Sequence, residues 1–233
     1  MSPPLFLAST SPRRRELLQQ IGLAFSVLKV DVDESVREGE LPADYVRRLA
    51  SEKARAGLAQ IDAGVVVAAD TSVVLDDEVL GKPASAEEAM VMWGRLSGRT
   101  HQVLTGVAVG DARHVEVEVV STRVHFRTLE RAEMMAYWQS GEPGDKAGGY
   151  AIQGRGAIFV DAIEGSYSNV VGLPDRQRHE REQGREQHDC RARHHNVEGA
   201  LQRDLAREPV VRPKYLPHSA QIGRASCRER VSS

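Results

Sequence analysis

The sequence predicts an α/β fold, a mixed central sheet flanked by helices, on three observations. Apolar runs of strand length alternate with segments of helical period through the first hundred residues. The stretch Val65-Val66-Val67-Ala68-Ala69 is continuous, as a strand buried on both faces is. Two long Val- and Thr-rich segments follow each other across Gly110-Asp111, as an antiparallel pair does.

The elements follow in order. Leu5-Phe6-Leu7-Ala8 reads as a first strand, and Ser11 as the N-cap of a helix with Pro12 in its first turn. Phe25 to Val30 alternates as a second strand, closed by the acidic turn Asp31-Val32-Asp33-Glu34-Ser35. From Pro42 to Ala59 the apolar positions Tyr45, Val46, Leu49, Ala50, Ala54 and Leu58 fall at helical spacing. The Val65 strand is expected to end at Asp70-Thr71-Ser72 and to resume as Val73-Val74-Leu75. Gly81-Lys82-Pro83 is a turn, and Ser85 caps a helix that runs to Leu96 before Gly98. Gln102–Val109 and Val115–Phe126 form the antiparallel pair, and Leu129–Gln139 is an amphipathic helix. A glycine-rich polar loop spans 141–156, Ala157–Val160 is a strand, and Ser168–Leu173 begins a last element.

From about Asp175 the pattern stops, which divides the chain into a folded domain at 1–174 and a tail at 175–233. The tail has no apolar face to offset its chain entropy and reads as disordered. Its end, Ile222-Gly223-Arg224-Ala225-Ser226-Cys227-Arg228-Glu229-Arg230-Val231, resembles a translated sequencing adapter, as a frameshift near Pro174 would leave. RNA binding by the tail is disfavoured by its lack of interleaved aromatics, and metal binding by its irregular histidine spacing.

Composition excludes several classes. The net charge is −2, and the Arg-rich tail hides a more acidic body, so a nucleic-acid partner is not expected. No run reaches the roughly 18–20 apolar residues that span a bilayer, and no secretory signal precedes the first strand, so no membrane partner and a cytoplasmic location are expected. The two cysteines, Cys190 and Cys227, lack the spacing of a zinc site or a disulfide framework. There is no Walker A loop, and no GxGxxG opens a helix after a strand.

The chemistry concentrates at a few positions. Arg13, Arg14 and Arg15 occupy the first turn of a helix, where free N–H groups already make the end electropositive. Such a run reads either as a solvated basic face on a surface helix or as an anion site, since strand, polar turn and helix N-terminus together make a place for a phosphate. Asp70, a carboxylate closing an apolar strand, carries a desolvation cost that a metal ion or another cation offsets. Glu34 and Asp33 offer oxygen ligands suited to Mg²⁺ or Mn²⁺. Lys53, Lys82 and Lys146, with Arg13 and Arg14, supply the positive lining a triphosphate requires.

Seven separated segments carry a resemblance. Leu7-Ala8-Ser9-Thr10-Ser11-Pro12-Arg13-Arg14, Ala69-Asp70-Thr71, Gly81-Lys82-Pro83, Leu96-Ser97-Gly98-Arg99-Thr100-His101, Asp145-Lys146-Ala147-Gly148, Tyr150-Ala151-Ile152-Gln153-Gly154 and Asn169-Val170-Val171-Gly172-Leu173-Pro174 resemble the Maf family of nucleoside triphosphate pyrophosphatases, in the family's order. The resemblance implies an architecture related to inosine triphosphate pyrophosphatase, a homodimer, and divalent-metal-dependent hydrolysis of a nucleoside triphosphate to the monophosphate and pyrophosphate. It places the proton acceptor on Asp70 and substrate specificity on Arg13, Thr71 and Gln153, a combination similar to the dTTP/UTP branch. Ser9, Arg14, Lys53, Lys82 and Lys146 are then expected to hold phosphates, and Glu34 with Asp70 the metal. The family has also been linked to septum formation, so a nucleotide-binding regulator of cell division without turnover is the rival reading. Family members continue past Pro174 with an apolar helix that this sequence lacks.

Overall fold

A computed structural model describes residues 3–174, so the tail expected over 175–233 lies outside the described residues. The fold expectation holds: seven strands form one mixed sheet with helices on both faces. In chain order the elements are β1 (Leu5–Leu7), α1 (Pro12–Gln20), β2 (Ser26–Val27), α2 (Pro42–Leu58), β3 (Val65–Leu75), β4 (Glu78–Leu80), α3 (Ala86–Leu96), β5 (Thr100–Gly110), β6 (Val115–Phe126), α4 (Arg131–Gln139), β7 (Val160–Glu164) and α5 (Tyr167–Val171).

The sheet order is β2-β1-β3-β5-β6-β7, with β4 paired to β3. β1 runs parallel to both β2 and β3, while the β3–β4, β3–β5, β5–β6 and β6–β7 pairs are antiparallel. Helix α1 therefore connects β1 to one neighbour, and α2 leads to the strand on its other side. The two crossovers, β1 to β2 through α1 and β2 to β3 through α2, run in opposite directions across the sheet, which puts their helices on opposite faces and opens a crevice beyond the carboxyl end of β1. The cores confirm that split: Leu18 of α1 packs with Leu7, Val67 and Ala69, whereas Ala50 and Ala54 of α2 pack with Val66, Ala68 and Ala108.

Strand alternation decides what each face receives. Val66, Ala68 and Val74 pack on the α2 side, and Val67, Ala69 and Val73 pack on the other. By that period Asp70 belongs to the α2 side and Thr71 to the α1 side. Helix α2 lies unusually close to the sheet beside them. A Cβ at Gly106, the β5 partner of Asp70, would stand 2.2 Å from the Val46 carbonyl oxygen, so only glycine admits the helix there.

Beyond this, the second half holds an aromatic block. Trp93, Phe126, Tyr137, Tyr150 and Phe159 pack with apolar side chains of α3, α4 and β5, in tilted and edge-on ring contacts with centroids 4.8–5.9 Å apart.

Several sequence expectations need correction. β3 is unbroken from Val65 to Leu75, so Asp70 stands inside a strand instead of closing one. Residues Ala68 to Ser72 pair with β5 on one edge only, because on the other edge β1 stops opposite Val67 and β4 starts opposite Val73. Continuous pairing to β5 keeps the strand extended through its polar triplet. The second strand is confined to Ser26–Val27, and the last strand lies at Val160–Glu164 instead of Ala157–Val160, of which residues 157–159 belong to a 3₁₀ turn over Arg155–Phe159. The loop over 141–156 contains two further short 3₁₀ turns, at Pro143–Asp145 and Ala147–Gly149.

Candidate active site

The gap beside Ala68–Ser72 opens into a cleft of about 580 Å³. Its walls bring together Ser9, Arg13, Arg14, Glu34, Lys53, Asp70, Thr71, Lys82, Lys146 and Gln153. These are all ten of the expected site residues, drawn from six separate stretches of chain. Arg15 is exposed and Asp33 does not line the cleft.

The centre is a shared cation. Lys53 Nζ lies 2.8 Å from Asp70 Oδ1 and 2.6 Å from Glu34 Oε1. Lys53 and Asp70 side chains are each 12% exposed, while Glu34 is 51% exposed. The pairing offsets the desolvation cost of burying a carboxylate and an ammonium. At Glu34 burial pushes the carboxyl up, but its bond to Lys53 and the nearby charges of Lys53, Lys82 and Arg14 outweigh it and hold the group below its ordinary range.

Helix α2 sets both partners of this cluster. Lys53 is on it directly, and Tyr45 Oη donates to the Glu34 carbonyl at 2.8 Å. Arg48, one turn along, donates to the Ser35 carbonyl and grips Glu40 with two bonds of 2.6 and 2.8 Å. That bidentate pair draws the Glu40 carboxyl down to about 2. The loop carrying Glu34 is thus clamped on both sides. Sequence reasoning missed Tyr45, Arg48 and Glu40, although Tyr45 and Arg48 stand at i, i+3 on the helix that also carries Lys53.

The α1 side is organised by Arg14. Its guanidinium donates from Nε to the Gly172 carbonyl at 2.8 Å, from Nη1 to Ser9 Oγ at 3.2 Å, and from Nη2 to Thr71 Oγ1 at 3.0 Å. Burial lowers its pKa, partly offset by the Asp70 charge. Behind Thr71 the hydroxyl of Thr105 bonds to it at 3.0 Å and donates to the Asn169 carbonyl. Asn169 in turn donates to the Val103 carbonyl and to Thr122 Oγ1. Arg14 therefore ties α1, β3 and the end of α5 together at the cleft wall.

The helix N-terminus is open as expected, by a different device. Ser11 holds the N-cap position in an extended conformation, but its hydroxyl caps no helix N–H; Ser9 Oγ instead accepts from the Ser11 N–H at 3.2 Å. The first-turn donors stay free of a side-chain cap.

The loop at 141–156 forms the opposite wall. Arg13 Nη1 reaches Asp145 Oδ2 across the mouth at 3.5 Å, and Lys146 bonds to Asp145 and to the Glu142 carbonyl. At Asp145 burial pushes upward, yet the bond to Lys146 and the charges of Lys146 and Arg13 prevail and lower its pKa. Lys82 is exposed at the mouth, and Gln153 is exposed on the cleft wall. Tyr150, Ile152, Val103 and Val170 give the cleft an apolar side.

The donor set fits a hard divalent ion. Asp70 and Glu34 already share one cation, the Lys53 ammonium, and both offer carboxylate oxygens. Among the described residues no three His, Cys, Asp or Glu side chains form a cage. Mg²⁺ is commonly bound through one or two carboxylates plus substrate phosphates, and this pair matches that arrangement.

The model for the Maf-like protein family matches residues 4–180. The chain is 57% identical over 174 residues to a dTTP/UTP pyrophosphatase of Methylococcus capsulatus, covering 73% of this chain and 85% of that protein. It is 56% identical over 170 residues to one of Myxococcus xanthus, covering 73% and 86%. It is 57% identical over 178 residues to one of Anaeromyxobacter dehalogenans, covering 75% and 90%. The chain belongs to the Maf family.

Proposed function

We propose that this Maf-family chain hydrolyses dTTP and UTP, and modified pyrimidine nucleoside triphosphates of the same shape, to the monophosphate and pyrophosphate. The observation that carries the reading is the Asp70–Lys53–Glu34 cluster at the centre of a cleft whose rim is lined with further cations. A carboxylate at the centre of the cleft can take a proton from water, and the cations match a triphosphate.

In this reading Asp70 removes the proton of a water that attacks the α-phosphorus. The bond between that phosphorus and the αβ-bridging oxygen breaks, and pyrophosphate leaves with the bonding pair. Lys53, Lys82 and Arg13 offset the charge of the phosphates and of the leaving group, and Lys146 joins them once it exchanges Asp145 for a phosphoryl oxygen. Arg14 and Ser9 fix the α1 N-terminus whose free N–H groups hold a phosphate in register. Glu34 and Asp70 would hold Mg²⁺ or Mn²⁺, which when bound supplies neutralisation of phosphate charge.

Base selection falls to Gln153, whose amide both donates and accepts and so matches a pyrimidine edge. Thr71 contributes through Arg14, to which its hydroxyl is bonded, and Arg13 from the cleft mouth. The working form is a cytoplasmic homodimer.

The test is pyrophosphate release from UTP, dTTP, CTP and GTP with Mg²⁺. Asp70→Asn should lose at least about 10²–10⁴-fold in kcat, the range of a general base, with unchanged circular dichroism. Near-normal turnover by that variant rejects the assignment. Nucleotide binding without turnover by the unaltered chain would favour a regulator instead.

A further inference from the structure

Gln153 is carried on a turn that closes with the Gly154 N–H bonding to the Ala151 carbonyl at 3.1 Å. Behind that turn, outside the cleft, stands Glu142. Its carboxylate accepts from the Arg155 N–H at 3.0 Å, the Gly156 N–H at 3.1 Å and Tyr137 Oη at 2.7 Å. Tyr137 Oη also accepts from the Ala151 N–H at 3.1 Å. One carboxylate and one phenol thus hold both ends of the segment 151–156.

The glycines of that segment record the same contacts independently. A Cβ at Gly154 would stand 2.5 Å from Glu142 Oε2, and one at Gly156 would stand 2.6 Å from Tyr137 Oη. A Cβ at either glycine would have to displace the side chain it meets. At Glu142 burial pushes the carboxyl upward, and the bonds from Arg155, Tyr137 and Gly156 overcome it, so the group stays ionised and acceptor-only. Tyr137 is buried between Trp93 and Phe159, which fixes its hydroxyl.

We infer that Glu142 and Tyr137 are positioning residues for base selection: from outside the cleft they set the turn that presents Ala151, Ile152 and Gln153 to the nucleobase. The inference rests on the reading of the cleft as a pyrimidine nucleotide site. Neither side chain lines the cleft, so neither touches substrate. A single amide oxygen cannot replace a carboxylate that accepts three bonds. Glu142→Gln therefore loosens the turn while leaving Asp70 and Lys53 in place.

The experiment measures kcat/KM for UTP and for GTP in the full chain. Glu142→Gln should lower the UTP-over-GTP ratio by about tenfold, the scale of a displaced recognition contact, with most of the change in KM for UTP. Tyr137→Phe, which keeps the ring packing, and Gly154→Ala, which displaces the carboxylate, should shift the ratio in the same direction. An unchanged ratio in Glu142→Gln, with all nucleotides slowed equally or only the melting temperature lowered, overturns the inference. Gln153→Ala separates the two claims. If it leaves base preference intact, base reading by Gln153 fails, while the Glu142→Gln ratio still decides the inference through Ala151 and Ile152. Should the unaltered chain release no pyrophosphate, the function proposed above fails, and the same variants are compared by equilibrium binding of UTP and GTP, where an unchanged preference again overturns the inference.

Discussion

The cleft and the aromatic block both hold polar side chains in partnership, and they keep them in opposite states. In the cleft the groups are charged and paired with one another: Lys53 with Asp70 and Glu34, Arg13 with Asp145. In the block the polar tips of the rings are neutral and hydrogen-bonded. His101 Nε2 bonds Tyr150 Oη at 2.8 Å, and burial lowers its pKa to about 4, so the imidazole is uncharged near neutral pH. Trp93 Nε1 donates to the Gly148 carbonyl at 3.2 Å, and Tyr137 receives the Ala151 N–H. In the cleft a charged ligand can take over these partnerships. The neutral tips of the block instead fasten the loop that faces that ligand.

Breaking each region should give a different signature. Phe126→Ala removes a fully buried ring that packs on His101, Tyr150 and Phe159, and should cost about 3–5 kcal/mol of stability in urea unfolding. Turnover per folded molecule should fall far less. Lys53→Met does the reverse: it leaves Asp70 and Glu34 without their shared cation and should reduce kcat by about 10²–10³-fold, the scale of a lost electrostatic contact, with a smaller change in unfolding midpoint. If the two variants gave the same pattern, the division between the regions would collapse.

A pH titration sharpens the contrast at smaller amplitude. His101 has a folded pKa near 4 against an ordinary 6.5, so as pH falls from 6.5 to 4 the unfolded chain takes up a proton the folded one refuses. Its contribution to stability is therefore complete above pH 6.5 and declines towards pH 4. Denaturant unfolding of His101→Gln, whose amide can still bond Tyr150, should show a shallower loss over that interval. An identical slope in both proteins would mean that His101 does not titrate as its burial requires.

Much of this architecture was legible in local pattern. Val115–Phe126 has the bounds expected, and Ser85 caps α3 by accepting from the Glu88 N–H. The strand β4 was not anticipated, though a signal exists: Asp76 and Asp77 both have positive φ, and Asp pairs favour such two-residue hairpin turns. The break expected at Asp70-Thr71-Ser72 did not occur because pairing with β5 overrides the polarity of three residues. All ten expected site residues line one cleft, yet their partners were not visible. Nothing near Asp70 in sequence indicates that Lys53, seventeen residues away, shares its charge.

By itself the sequence determined which segments are helix or strand and which residue types are available for phosphate chemistry, since both follow from neighbours along the chain. Only the tertiary structure decided that α2 approaches the sheet at Gly106 and sets Lys53 against Asp70, and that Glu142 and Tyr137 stand behind Gln153. Local periodicity specifies which face a residue occupies; which other residue meets it depends on how closely two elements pack, and that is settled by the side chains, or missing side chains, between them.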